Sequence, residues 1–99
     1  SHTGYVGLVD ERRGMHRWSE KKAVNVSFIL DDIDGWFGYT KQHALFPLRD
    51  TTVSNDAAGR YRAFVGYDPE GYFMEFDVFR DHPLNTSLMK YLRAATPTR

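Results

Sequence analysis

The side chain best placed to do chemistry is Glu75. It lies in Phe73-Met74-Glu75-Phe76-Asp77-Val78-Phe79, a run whose aromatic and β-branched content reads as a strand. Side chains alternate along a strand, so Phe73, Glu75, Asp77 and Phe79 share one face, and Tyr72, Met74, Phe76 and Val78 take the other. A carboxylate set between aromatics can act as acid, base or cation ligand, and burial raises its pKa unless a metal or a base compensates. The structural alternative is a carboxylate on a solvated face, or one tied to an arginine. Asp77, nearer the strand end, is expected to face solvent. Asn25 belongs to a second alternating run, Ala23 to Leu30, in which Val24, Val26, Phe28 and Leu30 oppose Asn25, Ser27 and Ile29. If the apolar faces of both runs meet a helix, Asn25 and Glu75 share the open side. Arg62 and Phe64 alternate with Ala63 and Val65 and are expected on that side too. Arg62 would there pair with Glu75 or hold an anionic ligand.

Other chemistries find little support. There is no cysteine, which excludes a disulfide framework, a thiolate nucleophile and cysteine-ligated metal. No Gly-rich phosphate loop precedes a helix, and neither G-x-S-x-G nor H-E-x-x-H occurs. Thirteen basic and thirteen acidic residues cancel, so no net charge recruits nucleic acid or an anionic membrane, and the aromatics lack the basic stripe of a nucleic-acid platform. No apolar run is long enough for a membrane span or a signal peptide, and localisation reads as cytoplasmic by default. Among the histidines, His16 reaches the open face only if its connector folds over, His43 closes a helix, His82 sits in a turn and His2 is set aside.

The elements that position these groups follow from composition and periodicity. Ninety-nine residues with 41% hydrophobic and 15% aromatic content bound one small folded α+β domain. Gly4 to Val9 reads as a short strand, and Asp10 to Lys22 as a charged connector in which Trp18 packs over the loop edge or contributes to a binding site. After the strand Ala23–Leu30, Asp31 caps a helix that buries Ile33, Trp36, Phe37 and Thr40 and ends near His43. Ala44 to Val53 carries a short edge strand, because Pro47 is poorly tolerated in a central one, and 54–59 is a loop. Asp68-Pro69-Glu70-Gly71 has the residues of a type I turn and joins two hairpin strands. Asn85 then caps a last helix with Leu88, Met89, Tyr91 and Leu92 on its apolar side.

The order strand, helix, edge strand, strand, strand resembles the βαβββ module of the vicinal oxygen chelate superfamily, which includes glyoxalase I, bleomycin-resistance proteins and extradiol dioxygenases. The pieces that carry the resemblance are Val24 to Phe28, Leu30 to Trp36 and Tyr67 to Phe76, so it spans Ala23 to Phe79. It implies a cup made by two paired modules. Glu75 falls on the family's Glu, a metal ligand and catalytic residue in its metal-dependent members. Asn25 stands where those members carry His, and Asn is a poor replacement for imidazole at a first-row metal; the cofactor is therefore none or a divalent metal ion. Two functions follow from the resemblance. The first is a metal-free small-molecule binder with Asn25 and Arg62 beside an aromatic slot of Phe64, Phe73, Phe79 and Trp18. The second is a metal-dependent lyase, isomerase or dioxygenase acting on vicinal oxygens. Residues 1–22 resemble the remnant of a preceding module, and 23–99 are one module plus a helix. The start at Ser1-His2 fits a fragment of a longer protein. A lone module implies a homodimer, with Gly4–Val9 as a strand for exchange.

Overall fold

The computed structural model describes residues 6–95. Strands β1 (Asn25–Ile29), β2 (Ser54–Asn55), β3 (Tyr61–Tyr67) and β4 (Phe73–Phe79) and helices α1 (Ile33–His43) and α2 (Thr86–Ala95) follow in chain order, with a 3-10 turn at Pro83–Asn85. The sheet order is β1-β4-β3-β2, with β1 parallel to β4 and the other pairs antiparallel. A parallel neighbour needs a crossover rather than a hairpin. Here α1 carries the chain away from β1, and β2, β3 and β4 step back until β4 lies beside it. The result is an α+β domain with a four-stranded mixed sheet and two helices.

Asp68–Gly71 is the turn that its residues predict. Gly71 N–H donates to Asp68 O at 3.0 Å, and the Asp68 carboxylate accepts from Glu70 N and Tyr72 N at 2.9 and 2.8 Å. Gly71 has φ +88, a conformation that glycine adopts without strain. The loop holds five residues, 68–72, so Tyr67 stands opposite Phe73 and Val65 opposite Glu75. Odd-numbered positions of both strands therefore share a face. This corrects the expectation for Arg62 and Phe64, which pair with Val78 and Phe76 and turn to the helix side.

The aromatic part of the core lies on that side, while Ala63 and Val65 are buried on the opposite face. Phe64 is 1% exposed, stacked on Phe76 at 4.8 Å and met edge-on by Phe37 of α1 at 5.2 Å. Phe76 also stacks on Phe28 and Phe46 at 5.3 and 5.4 Å. Gly66 is required beneath this stack, since an added Cβ would run into the Phe46 ring. Arg62 clamps the start of α1 to the sheet, donating to both oxygens of Asp34 at 2.6 and 2.7 Å and to Asn55 Oδ1 at 2.8 Å.

Several local expectations shift by a residue or two. The α1 cap is Asp32 rather than Asp31; its Oδ1 accepts from Gly35 N at 2.9 Å, and a Cβ at Gly35 would collide with that carboxylate. Ile33 and Thr40 are buried and Phe37 half-buried, but Trp36 is left half-exposed. The edge strand is Ser54–Asn55, inside the expected loop, while Leu48 bridges to Gly66 further along β3. Asn85 does not cap α2. Its buried amide donates to Arg60 O and Arg80 O at 2.8 and 2.9 Å, tying the start of β3 to the end of β4, while His82 Nδ1 accepts from Leu84 N at 3.0 Å and caps the 3-10 turn. Of the expected N-terminal strand, residues 4 and 5 lie outside the described residues. Residues 6–9 form no strand, with Val6 94% and Leu8 96% exposed.

Candidate functional site

The open face of the sheet presents Asn25, Ser27 and Ile29 from β1, Phe73, Glu75, Asp77 and Phe79 from β4, and Tyr61, Ala63, Val65 and Tyr67 from β3, as the registers of the three strands require. Asn25 and Glu75 meet here. The parallel pairing sets Asn25 beside Phe73 and Ser27 beside Glu75, and the diagonal neighbours touch, Asn25 Nδ2 donating to Glu75 Oε2 at 3.0 Å.

Asp77 does not face solvent. It is 4% exposed, flanked by Ala63 on β3 and Ile29 on β1. Burial, then the neighbouring Glu75 charge and a hydrogen bond with Glu75, push its carboxyl up to about 8. Like charges on one strand face two residues apart disfavour double ionisation, so at neutral pH Asp77 keeps its proton and donates it toward Glu75. Sequence reasoning had the signal for this pair in the spacing of two, but a strand-end position hid the burial.

The connector folds over this face. His16 Nε2 donates to Asn25 Oδ1, its Nδ1 lies 3.1 Å from Glu20 Oε2, and its ring packs on Phe73 at 4.9 Å. Arg49 enters from the segment after Pro47, its N–H donating to Val65 O at 2.9 Å. The guanidinium lies 5.8 Å from the Phe73 ring, donates to Met15 Sδ at 3.1 Å and pairs with both Asp50 oxygens at 3.0 and 3.1 Å. The Asp50 pair, and more weakly the charges of Tyr67 and Glu75, hold it firmly protonated. His16 reaches the face because the connector does fold over it, while Met15 and Arg49 escaped the sequence because contacts made by irregular segments leave no periodic trace.

Among the residues expected to form a site, Asn25, Glu75 and Phe73 are brought together, and half-buried Phe79 lies further along the same face against Tyr61 at 6.3 Å. Arg62 and Phe64 are on the other side of the sheet. Trp18 is 84% exposed, its backbone N–H held by Glu11 at 2.9 Å, and it builds no wall of an aromatic slot. The apolar excess of the surface therefore sits elsewhere than expected, at Val26, Phe28, Ile29, Trp36 and Tyr39.

A metal does not fit the donor set. Among the described residues no group of three or more His, Asp or Glu side chains is arranged to hold one. Asn25 turns its amide nitrogen to Glu75 and spends its oxygen on His16, so the two positions offer no convergent pair of acceptor atoms. What the arrangement can do is hold a proton on the Glu75–Asp77 pair and accept hydrogen bonds beside an aromatic surface.

No family model matches the chain, and no curated protein matches it. It is similar to a solved structure from the mobile metagenome of V. Pseudocholerae, at 18% identity and a TM-score of 0.46, over 77% of this chain. This chain spans 58% of that one, and a likeness so slight carries no argument about fold family or function. No helix among the described residues is long and apolar enough to cross a membrane.

Proposed function

We propose that this chain is a metal-free small-molecule binder of the vicinal oxygen chelate kind, its ligand lying on the open face against Phe73 and Tyr67 and anchored by Asn25 and Glu75. The observation that supports this most directly is the Asn25–Glu75 hydrogen bond across the parallel β1–β4 pair. It joins the two positions that the family resemblance singles out, on the face opposite Phe64 and Phe37 of α1. A few convergent polar groups beside aromatic side chains are the ordinary make-up of the polar part of a ligand site. Titration of ¹⁵N-labelled protein with a set of planar aromatic fragments tests it. Amide shifts should cluster at Asn25, Tyr67, Phe73 and Glu75. Phe73→Ala should weaken the best fragment about tenfold, a loss of roughly 1.4 kcal/mol of contact, while the protein stays folded. Shifts gathered instead at the shallow recess of Asp32, Gly35, Trp36 and Tyr39 would contradict it.

The same reading includes a twofold dimer. The outer edge of β1 has no strand neighbour among the described residues, and Val26, Phe28 and Ile29 on it are about half exposed. Open strand edges bearing apolar side chains invite pairing, and Leu8 and its neighbours could serve as an exchanged arm. Light scattering at micromolar concentration should give a dimer mass, and Phe28→Lys a monomer. A monomer from the unmodified chain would end the dimer reading, and a dimer that survives deletion of residues 1–10 would remove the exchanged arm.

A further inference from the structure

His16 makes two ring hydrogen bonds, and both partners are acceptors. Nδ1 faces the Glu20 carboxylate at 3.1 Å and Nε2 faces Asn25 Oδ1. Glu20 is held ionised chiefly by the Arg17 backbone N–H. The Asn25 amide is not free to turn over, because its Nδ2 donates to Glu75 Oε2 at 3.0 Å, and the reverse orientation would set a carbonyl oxygen against a carboxylate. An acceptor faces each nitrogen, which a ring with N–H at both positions satisfies in full. The flat ring lies against Phe73 with ring centroids 4.9 Å apart, and an aromatic surface favours positive charge beside it.

The charged groups around it agree. Glu20 and Arg17 belong to the same connector, Glu75 stands behind Asn25 on β4 beside the protonated Asp77, and Arg49 from the segment before β2 is already matched by Asp50. The local excess is negative. The connector itself is lightly held: residues 10–22 contain no helix or strand, and their contacts with the rest of the chain include His16 with Asn25 and Phe73, Met15 with Arg49, and Lys22 Nζ 4.9 Å from the Tyr72 ring. Segments with so few buried contacts open at small free-energy cost.

We propose that the place His16 holds against Asn25 and Phe73 is a site for a planar cation bearing N–H donors, such as an amidinium, guanidinium or imidazolium group, and that His16 is a built-in occupant which the ligand displaces. The proposal rests on the open face being the binding surface. It adds the class of ligand and an autoinhibitory role for the connector.

The test uses His16→Ala with benzamidinium and benzamide as probes at pH 7, read by calorimetry or amide shifts. The two probes share ring and N–H donors and differ in charge. His16→Ala should bind benzamidinium about tenfold or more tighter than benzamide, and tighter than the unmodified protein does by a similar factor; adding Asn25→Leu should remove that binding. Equal binding of both probes would overturn the cation assignment while leaving the open face as a small-molecule site. Benzamidinium binding no tighter in His16→Ala than in the unmodified protein would overturn His16 as the occupant. Failure to bind either probe would count against both readings.

Discussion

At pH 8 the Asp77→Asn variant is expected to unfold well above the unmodified protein, with the gap narrowing as pH falls and closing below about pH 4. The folded chain raises the Asp77 carboxyl to about 8, by burial first and by Glu75 second, whereas an unfolded chain titrates it near 3.9. A group whose pKa is raised on folding holds a proton that the unfolded chain gives up. Its contribution is fully present below about pH 4, and it is lost as pH rises through 8. The loss runs at up to roughly 1.4 kcal/mol per pH unit, reduced because Glu75 shares the proton. Asparagine keeps the shape and a donor toward Glu75 without a titrating proton. Thermal unfolding at pH 5, 6.5 and 8 checks this, at about 4–8 °C per kcal/mol for a chain of this size. Asp56, lowered to about 2 by bonds from Arg60, acts only in stronger acid. Parallel pH curves for the two proteins would sink the assignment of Asp77 as a buried neutral acid.

Phe64→Ala should be the most damaging single truncation on the sheet, lowering stability by about 3–5 kcal/mol. That is a large share of the roughly 5–15 kcal/mol a small domain has. Phe64 is sealed between Phe76 and Phe37 on the helix side, so its loss opens a cavity at the centre of the aromatic stack. The half-buried Phe73 on the open face should lose much less stability on truncation. Urea unfolding of both variants decides between the two faces. A Phe64→Ala protein within about 1 kcal/mol of the parent would show that this ring does not hold the helix to the sheet.

Much of this architecture was written in local patterns. Alternation in 23–30 and 73–79 put Asn25 and Glu75 opposite the helix-facing residues, the spacing of apolar positions from Ile33 to Thr40 made a helix, and Asp68-Pro69-Glu70-Gly71 made the hairpin turn. Each depends on a few consecutive residues, which is why the sequence alone determined them. The phase between two strands is a different kind of quantity. It depends on whether the loop joining them holds an odd or even number of residues, and one step inverts every side chain; the five-residue loop 68–72 therefore sent Arg62 and Phe64 to the core face. Burial is likewise not local. Asp77 became a neutral acid because Ala63 and Ile29 flank it from strands 14 and 48 residues away in sequence. His16 reached Asn25 only through a connector whose path no periodicity describes. Alternation decided which residues could share a face, and tertiary packing decided what each face meets, because register and cover are properties of segments brought together rather than of any one of them.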